Sequence, residues 1–178
     1  MKNFCITLLV LSIITLTVLG VETSFNVKNQ EYLRIHVRAN SNQPCDQEIK
    51  YAVKDAVVEF LVPYVSECET KKEAEQVVKN LLPKLEQVAD SVLKNGGFNY
   101  TSKAKVKGEE FPTRTYGALT LKQGYYDALI MYLGEGSGEN WWCVVYPPLC
   151  FTGDRIDVKY QSKIYRIIKD FMLNKEEK

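Results

Sequence analysis

Apolar and polar positions change rhythm several times along this chain, and each rhythm predicts an element. From Tyr32 to Ala39 they alternate, with Tyr32, Arg34, His36 and Arg38 on one side and Leu33, Ile35, Val37 and Ala39 on the other, which predicts a half-buried strand. Asn40 to Gln43 is a turn, and Pro44 suits the first turn of a helix. Ile49, Ala52, Val53, Ala56, Val57, Phe60 and Leu61 then recur at steps of three and four, the apolar face of an amphipathic helix ending near Pro63. Thr70 with Glu73 reads as a capping box, and Ala74, Val77, Val78, Leu81, Leu82, Leu85, Val88, Ala89, Val92 and Leu93 carry helical spacing up to the stop at Asn95, Gly96 and Gly97. Pro83 falls inside that run without changing its phase, which predicts two helical segments sharing a face or one kinked helix.

After Phe98 the rhythm becomes that of strands, expected over Phe98 to Val106, Thr115 to Leu121, Tyr125 to Leu133 and Trp141 to Tyr146. Glycines and short polar stretches separate them, as antiparallel connections require. Val158 to Leu173 predicts a closing helix. The expected class is α+β, a largely antiparallel sheet with helices packed on one face, after an N-terminal signal segment.

That segment is the uncharged run Phe4 to Leu19, preceded by Lys2 and followed by Gly20 and a polar stretch. It is shorter than the roughly 20 residues that span a bilayer comfortably, and it has the layout of a signal peptide. The domain plan is therefore 1–20 as signal peptide or membrane anchor, 21–30 as linker, and one domain over 31–178. The chain carries 23 basic and 22 acidic residues, and cleavage after Gly20 removes only Lys2, leaving 22 of each. With no basic patch, nucleic-acid binding has no electrostatic support.

Export bears on the cysteines, since Cys45, Cys68, Cys143 and Cys150 would sit where disulfides persist. Cys45 opens the first helix and Cys68 lies beyond its far end, roughly 27 Å away at helical rise, too far to be bridged. Cys143 and Cys150 flank Pro147 and Pro148, whose turn could join them as a disulfide; the other reading is two thiols packed as small apolar groups.

A persuasive catalytic set is missing. His36 is the one histidine, and its place between Arg34 and Arg38 reads as an exposed or partner-facing strand residue rather than a base. The cysteines lack C-x-x-C spacing, so no metal and no cofactor are expected. Gly134 to Asn140 precedes a strand instead of a helix and reads as a flexible hairpin loop rather than a phosphate cradle. Asp46, Glu48, Asp55 and Glu59 read as the solvated side of the first helix. Trp141 and Trp142 put one indole on each face of their strand, one for the core and one as an exposed interface anchor.

Two stretches carry a resemblance: L-R-I-H-V-R-A-N-S at Leu33 to Ser41, continuing through Asp46, Gln47, Lys50 and Val53 to Val57, and G-E-N-W-W-C-V-V-Y-P-P-L-C-F at Gly138 to Phe151. With Phe111-Pro112, Tyr116-Gly117 and Gly124 to Leu129 between them, the chain from about residue 31 to 151 resembles the stage II sporulation protein R family. The resemblance implies a non-catalytic signalling protein, secreted by the forespore into the space between the forespore and mother-cell membranes and membrane-proximal during secretion. Its implied partner is the membrane-embedded aspartic protease of the mother cell that matures the sigma-E precursor. Arg34, Asn40, Ser41, Asp46, Gln47, Asn140, Trp141 and Trp142 are the expected partner-binding residues. The rival readings are a secreted hydrolase or cell-wall-modifying enzyme using Cys143 or a carboxylate, and a wall-glycan binding module built on Tyr125, Tyr126, Trp141 and Trp142.

Overall fold

The computed structural model describes residues 31–117, 119–151 and 158–176. The expected signal segment and linker lie outside the described residues. The elements run β1 (Leu33–Arg38), α1 (Pro44–Val65), α2 (Lys71–Asn95), β2 (Ser102–Phe111), β3 (Arg114–Tyr116), β4 (Leu119–Leu121), β5 (Gly124–Leu133), β6 (Asn140–Tyr146), a 3-10 turn (Leu149–Phe151) and α3 (Val158–Glu176). The class is α+β, with a mostly antiparallel sheet. Among the described residues no helix is long and apolar enough to cross a membrane.

The main sheet has the order β2-β5-β1-β6. β2 with β5 and β1 with β6 are antiparallel, whereas β1 runs parallel to β5, a pairing that needs the long crossover supplied by α1 and α2. β2 and β5 form a ten-residue ladder from Ser102 opposite Leu133 to Phe111 opposite Gly124, and the residues between them fold into the separate two-stranded sheet β3-β4.

Each helix forms for local reasons. Pro44 occupies the first turn of α1, where its missing N–H costs nothing. Pro63 does not end that helix: it sits in the last turn, and burial of Leu61, Val62 and Val65 carries the helix to Val65. The Thr70 hydroxyl accepts the Glu73 N–H and caps α2, while Glu73 Oε2 accepts the Glu69 N–H, one residue before the usual capping-box position. Pro83 is exposed within α2, which remains one helix.

Both faces of the sheet are covered. On one, Leu33, Ile35 and Val37 pack with Leu129, Met131, Cys143 and Val145 under Val53, Val57, Leu61, Leu85 and Leu93 of α1 and α2. On the other, Tyr32, Phe111, Tyr126, Ala128, Ile130 and Val144 pack with Leu119 and Leu121 of the β3-β4 hairpin. α3 joins Ile164 to the first core and packs Phe171 and Met172 against the second.

Two expectations change. β1 is buried on both sides instead of one, because the hairpin roofs the face that alternation assigns to solvent. The Gly134 to Asn140 segment is not a hairpin loop: β1 lies between β5 and β6, so this segment bridges the C-terminal end of β1.

Candidate functional site

The polar side of β1 is the most unusual feature of the interior. Arg34 is fully buried and His36 nearly so, contrary to the expectation of an exposed His36. The Arg34 guanidinium lies 4.2 Å from the Phe111 ring centre, 4.9 Å from Tyr126 and 5.7 Å from Tyr116, and its Nη2 donates to the Tyr116 hydroxyl at 2.6 Å. Burial raises the Tyr116 pKa, with the guanidinium opposing. Glu109 on β2 serves the next two polar side chains on this side of β1, His36 Nδ1 at 2.7 Å and Arg38 Nη2 at 2.5 Å. Burial lowers the His36 pKa below 6.5, and the Glu109 hydrogen bond only partly offsets it, so the ring is neutral near pH 7, with Nδ1–H toward the carboxylate. Trp142 completes the cluster, 5.4 Å from the His36 ring on one side and 4.5 Å from the Arg114 guanidinium.

At the C-terminal end of β1 a second polar cluster ties the two motif stretches together. Asp46 Oδ2 accepts from Ser41 Oγ at 2.6 Å and Asn40 Nδ2 at 2.9 Å, and Oδ1 accepts from the Tyr100 hydroxyl at 2.6 Å. Burial raises the Asp46 pKa, but the bonds from Ser41, Tyr100 and Asn40 outweigh it and the net value falls below 3.8. Asp46 therefore belongs to the interior and not to the solvated side of its helix, since a carboxylate with several donors is stable where an unpaired one is not. Gln47 donates to the Ser41 carbonyl and accepts from Lys50 Nζ at 2.7 Å; burial lowers the Lys50 pKa.

The bridging segment docks on this cluster through its backbone. Ser137 N–H and Gly138 N–H donate to the Asn40 and Ala39 carbonyls, and Glu135 N–H and Glu139 N–H donate to the side chains of Asn40 and Asn42. Gly138 is required by proximity, because a Cβ there would stand 2.2 Å from the Ser41 carbonyl oxygen.

The expected partner-binding residues divide accordingly. Arg34 and Asp46 are buried within the domain, while Asn40, Ser41 and Gln47 are partly exposed and form the turn between β1 and α1. Asn140, Trp141 and Trp142 are partly exposed on β6, opposite Arg38, Val37 and His36. Neither indole is a fully exposed anchor: Trp141 packs on the core under α1, with Lys54 Nζ 5.4 Å from its ring, and Trp142 packs on the hairpin side. Tyr125 is exposed and Tyr126 buried, so the four aromatics of the glycan reading do not share one platform.

Cys143 and Cys150 stand as thiols, and Cys150 Sγ donates to the Val144 carbonyl at 2.7 Å. The neighbouring Cys150 thiol draws the Cys143 pKa down, and burial pushes Cys150 up, so Cys143 ionises first. Cys45 is exposed and Cys68 buried. Among the described residues no group of histidine, cysteine and carboxylate side chains is arranged to hold a metal ion. Sequence reasoning missed Glu109, Tyr100 and the caging role of Phe111, Tyr116 and Tyr126. Phe111 and Tyr116 lay in the resembling segments, but nothing in their spacing points back to Arg34.

Fold and site together define a small α+β domain with a buried cationic central strand, clamped at one end by a glycine-containing bridge. The family model for stage II sporulation protein R matches residues 29–155, and the chain belongs to that family. It is similar to "Stage II sporulation protein R" of Bacillus subtilis (strain 168), with 33% identity over 136 residues, 73% of this chain and 61% of that relative's length. Family and relative give the chain a role in sporulation. No solved structure matches it.

Proposed function

We propose that this chain is a secreted intercellular signal of sporulation that activates a membrane-embedded aspartic protease of the mother cell and so brings about maturation of the sigma-E precursor. The observation that carries the reading is family membership over residues 29–155, the span that contains both motif stretches. Their juxtaposition supports it: β1 and β6 pair directly and the Gly134 to Asn140 bridge clamps the end of β1, so the two stretches act as one unit. The protein acts by binding, presenting the partly exposed Asn40, Ser41, Asn140, Trp141 and Trp142, while the protease supplies the bond-breaking chemistry. The one histidine is held by Glu109 and stacks on Trp142, an arrangement that fixes the ring rather than readying it as a base for a nucleophile.

Delivery requires crossing the forespore membrane, and the apolar run Phe4 to Leu19 is the segment suited to it. The test is co-expression of this chain with the protease and the sigma-E precursor in a non-sporulating host. Precursor cleavage should appear only when all three are present and the signal segment is intact. Cleavage independent of this chain, or turnover of a wall substrate by the purified chain without the protease, would refute the reading.

A further inference from the structure

Arg34 is a buried cation for which the described residues supply no counter-ion. Its side chain is fully buried, yet among the described residues Nε and Nη1 have no hydrogen-bond partner, and Nη2 donates to a neutral phenol. Glu109, the carboxylate of this face, is engaged by His36 and Arg38 and lies 3.6 Å from Lys107 Nζ. A guanidinium cannot shed its proton as a buried lysine can, so it stays charged. The rings of Phe111, Tyr126 and Tyr116 interact with that charge through their faces but carry no charge that would neutralise it. A site with a preformed aromatic cage, a permanent positive charge and idle donors is built for an anion.

We propose that Arg34 is the receptor for a carboxylate, admitted when the β3-β4 hairpin lifts. The cover is held to this face by side-chain packing and not by a shared strand ladder. It is a sheet of two three-residue strands, hydrogen-bonded as a ladder only to itself, and a two-stranded ribbon is marginally stable. Tyr116, on the hairpin, provides the one hydrogen bond that Arg34 makes to the cover, so lifting the hairpin frees Nη2 as well. With Nη2 freed beside the unpaired Nε and Nη1, the guanidinium offers the in-plane donor pairs that a carboxylate takes two at a time. The carboxylate comes from a free small acid or from an acidic side chain of a protein, and the chemistry at Arg34 is the same.

The test needs no protease and therefore stands or falls apart from the signalling reading. The full chain is titrated with sodium acetate, and separately with a tetraglutamate peptide, against sodium chloride at equal ionic strength. The Arg34 Nε–H resonance is followed by NMR and the melting temperature by calorimetry. The resonance should move saturably, and the melting temperature should climb with the logarithm of ligand concentration. In Arg34→Met, whose apolar side chain suits the cage, the melting temperature should be insensitive to both probes. A response to acetate and peptide assigns a site open to free acids, and a response to the peptide alone assigns a protein-borne carboxylate. An unmoved Arg34 resonance with both probes overturns the proposal, as does an equal melting shift in Arg34→Met. Should that variant not fold, the wild-type resonance decides alone.

Discussion

At the scale of single residues, burial and hydrogen bonding set charges that exposure would not. His36 is the one histidine, so its imidazole signals need no assignment by mutation. Its folded pKa is depressed by burial, so as pH falls below 6.5 the unfolded chain binds a proton that the folded ring resists. Stability should therefore decline from about pH 6.5 down through the lowered folded value and level off beneath it. An NMR titration should show the imidazole midpoint below 6.5, and lower still in Glu109→Gln, which keeps an acceptor for Nδ1–H but removes the negative charge that raises it. Asp46 works on a separate limb. Its depressed pKa contributes stability that is present above pH 3.8 and lost as pH falls through the folded value. Asp46→Ala would strand the Ser41, Asn40 and Tyr100 donors, and a loss of about 3 kcal/mol in denaturant unfolding is expected. The thiols also differ by burial, which pushes the Cys68 pKa up to about 11. Exposed Cys45 should react with an alkylating reagent at pH 7 well before Cys68, as timed mass spectrometry would show.

At the scale of elements, two positions carry local rules with opposite signs. Pro83 is exposed within an unbroken helix and withholds a backbone N–H. Pro83→Ala should stabilise the domain by about 1–3 kcal/mol, raising its melting temperature. Gly138 is the reverse case, since its would-be Cβ meets backbone and not a side chain that can swing away. Gly138→Ala should destabilise by about 2 kcal/mol in denaturant unfolding and loosen the bridge over β1, seen as faster hydrogen exchange at Ala39 and Ser137. Helices α1 and α2 were readable because their apolar stripes follow the helical period and their caps are local. The strands were readable in number and approximate place. The stretch read as one strand over Thr115 to Leu121 is the β3-β4 hairpin, broken where Gly117 takes φ of 59°.

At the scale of the whole molecule, export and oxidation are linked. If the chain reaches an oxidising compartment, the neighbouring thiols of Cys143 and Cys150 should lose two electrons to an external thiol oxidant and join as a disulfide. Mass spectrometry of alkylated, unreduced protein from the exported form should show both blocked from the reagent, and two alkylated thiols would exclude the bridge.

The sequence by itself determined the α+β class, the two long helices, the family and the two stretches that carry it, because periodicity, caps and motif wording are local. Alternation along β1 also told correctly which residues share a side. It could not tell that the side bearing Arg34, His36 and Arg38 would be roofed, since the roof comes from a hairpin distant in the chain, with 82 positions separating Arg34 from its partner Tyr116. Only the tertiary structure decided that Arg34 and His36 are interior, that Asp46 is a buried hub, and that the glycine-rich segment clamps β1 instead of turning a hairpin. The physical reason is common to all three: the cost of burying a polar group depends on which partners arrive from distant chain, and no local pattern encodes that.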